Sequence, residues 1–107
     1  MSYVRKTPVK SDCAVEKTLH VIAGKWKPAI LSELLRTPVV RLKTIQEGLP
    51  EATKRALTKQ LQELIDDNLI QKKEYDVYPK KTEYSLTALG KELAPVFEVM
   101  KQFGNKL

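Results

Sequence analysis

The sequence has 107 residues, the length of one ordinary domain (residues 1–107), and is too short for a catalytic domain beside a separate regulatory one. Apolar residues make up 42% and charged residues 30% of the chain, and no apolar run approaches the roughly 20 residues that span a bilayer, so composition excludes a membrane-spanning protein. The 19 Lys and Arg against 13 Asp and Glu give a net charge of +6, which favours polyanionic partners.

The N-terminal part of the chain predicts an arm followed by a helix. Residues 1–11 are polar and are expected to form a flexible arm. A first helix is predicted over residues 13–23, where Asp12 can cap its start and Gly24 can end it. Its apolar residues recur at helical spacing: Val15, Leu19 and Ile22.

A second helix is predicted to start near Lys25 and to accommodate Pro28 in its first turn. Thr37 and the proline after it end this helix. Its amphipathic pattern predicts five buried residues: Trp26, Ile30, Leu31, Leu34 and Leu35.

The middle of the chain contains shorter elements. Residues 39–41 are rich in β-branched side chains and are long enough only for a bridging strand. A short helix is predicted over residues 42–48, a tight turn over 49–52 and a longer helix over 53–68. The order is therefore helix, tight turn, longer helix.

The longer helix has two distinct faces. One face is apolar and is expected to be buried, with residues at i, i+4, i+7 and i+8: Leu57, Leu61, Leu64 and Ile65. The opposite face of its first three turns is basic and polar: Lys54, Arg55, Thr58, Lys59 and Gln62. Bases at the N-terminal end and acids at the C-terminal end are the reverse of what the helix dipole favours, so the arrangement indicates binding rather than stability. The alternative is an ordinary solvated face.

A β-hairpin is predicted next. Residues 71–77 and 82–86 are rich in Tyr, Val and Thr, and Pro79 lies in the loop between them. Lys80 and Lys81 are expected at the tip of the hairpin. Because strand side chains alternate between faces, only one of the adjacent lysines at positions 72 and 73 can face the same binding partner as the lysines at the hairpin tip. The alternative is a plain solvated hairpin.

The C-terminal segment, residues 87–107, is predicted to be one helix that Thr87 caps and Pro95 kinks. Its apolar residues, with Leu86 before them, form a seam with spacings of 3 and 4 over three heptads: Leu89, Leu93, Val96, Met100, Phe103 and Leu107. A second copy of the chain is the simplest cover for this seam, which predicts a homodimer. The alternative is that the seam packs into the domain's own core.

These patterns together favour double-stranded DNA as the partner. A recognition helix needs bases on its N-terminal turns, which enter the major groove, and a basic hairpin after it is typical of a wing. We therefore predict a mainly α fold with a small β-hairpin wing, a winged helix-turn-helix. Base edges are assigned to Arg55, Thr58, Lys59 and Gln62, and phosphates to Lys54, Lys80 and Lys81, with Arg41 and Lys43 as further backbone contacts.

Two other classes of function remain open from these residues. A winged helix can serve as a protein-interaction module, but its exposed helix face would then be apolar or acidic. Phosphate contacts alone would support binding of DNA without regard to sequence. An enzyme is not expected, because the chain has one His, one Cys, no Gly-rich phosphate loop and no nucleophile with a base beside it.

The single cysteine, Cys13, cannot close an internal disulfide, and with one histidine the chain cannot build a Cys/His zinc site. We expect neither a metal nor a cofactor. Residues 1–10 are not followed by the apolar stretch of a secretory signal, which predicts a cytoplasmic protein. Cys13 is expected in the first turn of its helix, where the dipole favours a thiolate, although a small packing residue is the simpler interpretation.

Four segments, in this order and spacing, strongly resemble the HxlR family of bacterial regulators: CAVEKTL at 13–19, IAGKWK at 22–27, LTKQLQEL at 57–64 and EYSLTALG at 83–90. The resemblance implies a homodimeric winged helix-turn-helix repressor or activator. It implies that both terminal helices form the dimer interface, which adds Val15 and Leu19 to the seam residues. It also implies that Cys13 is a candidate sensor of quinones, aldehydes or oxidants.

Overall fold

The computed structural model describes residues 13–107. The predicted arm, residues 1–11, and the predicted cap Asp12 lie outside the described residues. Every other predicted element is present with small shifts of its ends, except that the last helix is divided in two. The elements are α1 (Ala14–Ile22), α2 (Lys27–Arg36), β1 (Val40–Arg41), α3 (Leu42–Gly48), α4 (Lys54–Asp66), β2 (Ile70–Tyr75), β3 (Lys81–Leu86), α5 (Ala88–Lys91) and α6 (Leu93–Gly104).

The strands form one antiparallel sheet in the order β1-β3-β2. The predicted hairpin is β2 and β3, which pair from Ile70 opposite Leu86 to Tyr75 opposite Lys81. The short strand β1 lies on the other side of β3, with Val40 opposite Tyr84. The predicted class, mainly helical with a small hairpin, is therefore confirmed, and β1 adds a third strand to it.

One hydrophobic core joins the helices to the sheet. The apolar face predicted for α4 is buried, apart from Ile65 at its edge, which is half-buried. Of the five residues predicted to be buried around the second helix, three are buried, whereas Trp26 and Leu35 pack at the margin of the core. The buried apolar residues are Ile22, Ile30, Leu31, Leu34, Val40, Ile45, Leu57, Leu61, Leu64, Leu69, Ile70, Tyr84, Leu86 and Leu93.

Both ends of α4 are closed by specific hydrogen bonds. The side-chain oxygen of Thr53 accepts a bond from the backbone N–H of Ala56 at 3.0 Å, which caps the start of the helix. At the other end Asn68 has a φ of 61°, in the left-handed region where Asn is tolerated. The N–H of Asn68 bonds to the carbonyl of Ile65, and that of Leu69 to the carbonyl of Leu64. This is the Schellman arrangement, and it turns the chain from α4 into β2.

The C-terminal segment is not one kinked helix, because the structure divides it at Glu92 into α5 and α6. Thr87 caps α5, as predicted, by accepting a bond from the N–H of Gly90 at 3.0 Å. Pro95 explains the division, since a proline ring clashes with the carbonyl four residues earlier, and that residue is Lys91, the last of α5. At this junction Leu93 is only 8% exposed. It therefore belongs to the hydrophobic core of the domain, which differs from its predicted place in a dimer interface.

Candidate nucleic-acid interface

The polar face of α4 forms one continuous exposed surface. Five of the nine residues predicted from the sequence to bind DNA lie together there and, with Glu63, line a single shallow depression. The first turn of α4 contains no acidic residue. We call this the α4 surface: Lys54, Arg55, Thr58, Lys59, Gln62 and Glu63.

Gln62 is held by a neighbour on the same helix. Its amide Nε2 donates to Oδ1 of Asp66 at 2.9 Å, one turn further along α4. One end of the amide is thus oriented before any ligand arrives. Sequence reasoning did not pair Gln62 with Asp66, although the spacing of four residues is the feature that could have done so.

The acidic member of the α4 surface is neutralised from another helix. Nζ of Lys27, in the first turn of α2, lies 2.9 Å from Oε1 of Glu63, and the lysine side chain is only 3% exposed. Sequence reasoning missed Lys27. Its position could have indicated a role. A basic residue in the first turn of a helix interacts unfavourably with the helix dipole, so its presence there suggests a partner elsewhere in the structure.

A second polar residue of α4 faces inward. Gln60 is fully buried, and its Oε1 accepts bonds from the backbone N–H groups of Trp26 at 2.9 Å and Lys27 at 3.1 Å. Gln60 was also missed. It lies three residues after Leu57 and one before Leu61, so the helical spacing alone places it on the buried face.

The wing lysines differ in their surroundings. Lys80 is exposed in the connection between β2 and β3. Lys81, predicted at the tip, is instead the first residue of β3. Its Nζ lies 3.3 Å from Oε2 of Glu83 and 4.6 Å from the ring centre of Tyr75. The hydroxyl of Tyr75 donates a hydrogen bond to Oε1 of Glu83, with an oxygen–oxygen distance of 2.8 Å. This hydrogen bond, together with Lys81, lowers the pKa of Glu83.

The register decides which of the two adjacent lysines of β2 lies beside Lys81. Lys73 is opposite Glu83, and its Nζ lies 5.0 Å from the ring centre of Tyr75, so it shares a face with Lys81. Lys72 is on the other face, where its Nζ lies 3.0 Å from Oε1 of Glu74. The hydrogen bond to Glu74 raises the pKa of Lys72.

Arg41 and Lys43 are both exposed near the start of α3. Arg41 is in β1, opposite Glu83, and directly precedes α3. Lys43 is in the first turn of α3. The structure therefore presents both side chains to solvent without placing them among the residues that line the depression on α4.

Helices α1 and α6 expose a large apolar face. Val15 is 69% and Phe103 64% exposed, and Leu19 and Met100 line one groove together with residues of α2. Phe97 by contrast packs against the core. Two other predicted interface residues, Leu89 and Val96, are also exposed, whereas Leu93 is buried.

Cys13 lies just before α1 rather than in its first turn, because it is the N-cap residue with an extended backbone. Its carbonyl accepts a bond from the N–H of Lys17 at 3.0 Å, and its side chain is a half-buried free thiol. Within residues 13–107, no group of three or more His, Cys, Asp or Glu is arranged to hold a metal ion. No helix in the same range has both the length and the apolar character needed to cross a membrane.

The sequence and the fold have counterparts in known proteins. The chain is 43% identical over 94 residues to the HTH-type transcriptional regulator YdeP of Bacillus subtilis, covering 88% of this chain and 73% of that protein. It is 39% identical over 97 residues to YybR, a regulator of the same type and organism, covering 91% and 77%. The structure is similar to that of the redox regulator HypR in its reduced form, with a TM-score of 0.82, 37% identity, and coverage of 88% and 92%. The model of the HxlR-like helix-turn-helix family matches residues 21–107, and the chain belongs to that family.

Proposed function

We propose that this HxlR-type transcription regulator reads DNA sequence with α4 in the major groove and with the β2–β3 wing on the neighbouring backbone. The observation that carries the proposal is the α4 surface, where basic and amide side chains are exposed together and the acidic residue at the edge is paired with Lys27. In helix-turn-helix proteins the N-terminal turns of the second helix contact base edges. A protein-interaction module would need an apolar or acidic face here, and this face is basic.

The side chains have separate roles in this proposal. Arg55, Thr58, Lys59 and Gln62 contact base edges, since Arg and Lys pair with guanine and Gln with adenine. Lys54 and Lys80 contact phosphates, and Lys81 does so more weakly because Glu83 is its neighbour. Arg41 and Lys43 contact the backbone beside them.

The proposed working unit is a homodimer. The exposed apolar face shared by α1 and α6 supports it, because monomeric proteins rarely expose contiguous apolar patches of this kind. A second copy of the chain covers this face and places two α4 helices on half-sites about 34 to 36 Å apart. Action on DNA also places the protein in the cytoplasm.

The test starts from a duplex that the protein itself selects from a random-sequence pool. Fluorescence anisotropy then compares this duplex with a scrambled duplex of the same length and composition. Arg55→Ala and Gln62→Ala are each expected to cost about 1 to 3 kcal/mol on the selected duplex and much less on the scrambled one. Equal losses on both duplexes would support binding without regard to sequence instead.

A thiol switch at Cys13 is the second part of the proposal. The similar structures of HypR, a redox regulator described in reduced and oxidised forms, support it, as does the position of Cys13 at the start of α1 beside the proposed interface. Two Cys13 thiols, one from each subunit, would lose two protons and two electrons to an oxidant such as diamide and form one intersubunit disulfide. The new bond would shift the subunits and change the distance between the α4 helices.

The switch is tested by adding diamide to the complex with the selected duplex. Release is expected for the wild-type protein, with a covalent dimer on a non-reducing gel, and neither effect is expected for Cys13→Ser. Unchanged release from the Cys13→Ser variant would remove Cys13 from the mechanism.

A further inference from the structure

We propose that Gln60, a fully buried residue that cannot touch DNA, fixes the rotation of α4 against α2 and is thereby a specificity-determining positioning residue. The inference rests on the proposed reading of DNA by α4. It concerns a part of that helix that faces away from the ligand.

Gln60 supplies the N-terminal cap of a different helix. Trp26, the N-cap residue of α2, has no side chain able to cap, and α2 carries no side-chain cap of its own. Oε1 of Gln60 accepts the N–H groups of Trp26 and Lys27 in its place, over separations of 34 and 33 residues. The start of α2 is therefore tied directly to the middle of the proposed recognition helix.

The directional nature of these bonds gives them a role that apolar packing cannot fill. The hydrophobic contacts of Leu57, Leu61 and Leu64 are non-directional and tolerate small rotations of the helix. The two N–H···O bonds of Gln60 weaken steeply as they bend, and breaking them would bury unsatisfied polar groups. One turn further on, the pair between Lys27 and Glu63 makes a second tie to the same point. The hydrogen bonds of Gln60 and the ion pair of Glu63, on successive turns, fix the rotation of α4 about its own axis. They therefore fix the direction in which its base-reading side chains point.

Gly24 shows how closely this site is packed. A Cβ added at Gly24 would lie 2.9 Å from Oε1 and 3.2 Å from Nε2 of Gln60, and 3.0 Å from the flexible Cδ of Lys27. The φ of Gly24 is not positive, so the backbone itself would accept another residue. Gly24 is therefore required for the space it leaves to the Gln60 amide, and it offers a way to disturb that amide without altering α4.

The decisive measurement is the ratio of affinities for the selected duplex and for a scrambled duplex of the same composition. Gln60→Met keeps the size of the side chain but removes the acceptor, and it is expected to lower the ratio about tenfold, the order of loss that one misread base pair causes. Its salt dependence on the scrambled duplex should stay unchanged, because the phosphate-binding side chains are intact. Gln102→Met, at an exposed position of α6 outside the apolar seam and the DNA-binding surface, is the matched control and should keep the ratio.

A role in stability alone would lower the fraction of folded protein and hence both affinities equally, which would overturn the inference. A wild-type protein that does not distinguish the two duplexes would instead overturn the proposed function, so the two failures are separate.

Gly24→Ala provides an independent test, and it stands even if Gln60→Met does not fold. Like Gln60→Met, Gly24→Ala is expected to lower the ratio of affinities for the selected and scrambled duplexes. In a Gln60→Ala background, where the amide is gone, most of this effect should disappear. Additive effects of Gly24→Ala and Gln60→Ala on the ratio would contradict the proposed contact.

Discussion

Nζ of Lys27 lies 2.9 Å from Oε1 of Glu63, so a lysine at the start of α2 neutralises the acidic residue at the edge of the α4 surface. Without this lysine, a partly buried carboxylate would remain beside the residues proposed to meet DNA. The same ion pair therefore joins the packing of two helices to the electrostatics of the binding surface.

Replacement of Lys27 should affect both properties. Lys27→Met is expected to lower the free energy of unfolding by about 1 to 3 kcal/mol, because it leaves the Glu63 carboxylate without its cation. It should also weaken binding to every DNA sequence. Lys25→Met removes the same charge from an exposed position and is the control. Urea denaturation and anisotropy measure the two effects, and equal behaviour of the two variants would contradict the role of the pair.

The two lysines near the wing tip should differ in their contribution to salt dependence. Lys80→Ala is expected to lower the slope of log affinity against log salt by about one, as the loss of one phosphate contact does. Lys81→Ala should lower it by less, since Glu83 already neutralises part of its charge. Titrations at several salt concentrations measure both slopes. A larger change for Lys81→Ala would show that the ion pair opens in the complex.

The acid titration of Glu83 should depend on Tyr75. The Tyr75 hydroxyl is the main cause of the lowered pKa of Glu83, so Tyr75→Phe is expected to raise that pKa toward the ordinary value. A carboxyl whose pKa is lowered by folding stabilises the protein above its ordinary pKa of about 4.3, and this contribution is lost as pH falls through the lowered value. NMR titration of the Glu83 carboxyl carbon provides the measurement. An identical titration curve in Tyr75→Phe would contradict the assigned cause.

Two helical glycines should respond in opposite directions to alanine. Helix propensity favours alanine over glycine by about 0.5 to 1 kcal/mol. At Gly48, where an added Cβ meets nothing within 4 Å, the change is expected to stabilise the protein by up to this amount. At Gly90 the Cβ would overlap the carbonyl oxygen of Leu69, so Gly90→Ala should be destabilising. Thermal or urea unfolding of the two variants tests the contrast, and stabilisation by Gly90→Ala would refute the close approach.

The helices and the hairpin could be predicted because each depends on local periodicity. The polar and apolar faces of α4 repeat every three or four residues, and the face on which a residue lies follows from this spacing. The basic residues of the α4 surface were therefore found together in the sequence and are found together in the structure.

The ties between helices could not be predicted, because their partners are far apart in the sequence. Gln60 bonds to backbone groups 33 and 34 residues away, and the distance in sequence gives no indication of the pairing. The division after α5 was missed for another reason. The heptad spacing continues through Leu93, so the apolar pattern hides the break that Pro95 causes.

The break at Glu92 also has a geometric consequence. It sets the direction in which α6 leaves the body of the domain. In the proposed dimer the two domains are related by two-fold symmetry. A change in the tilt of α6 within each domain therefore changes the angle between the two domains by twice that amount. If the proposed dimer forms on DNA, the number of base pairs between its two half-sites would then depend partly on a backbone junction that lies on neither the proposed recognition helix nor the wing.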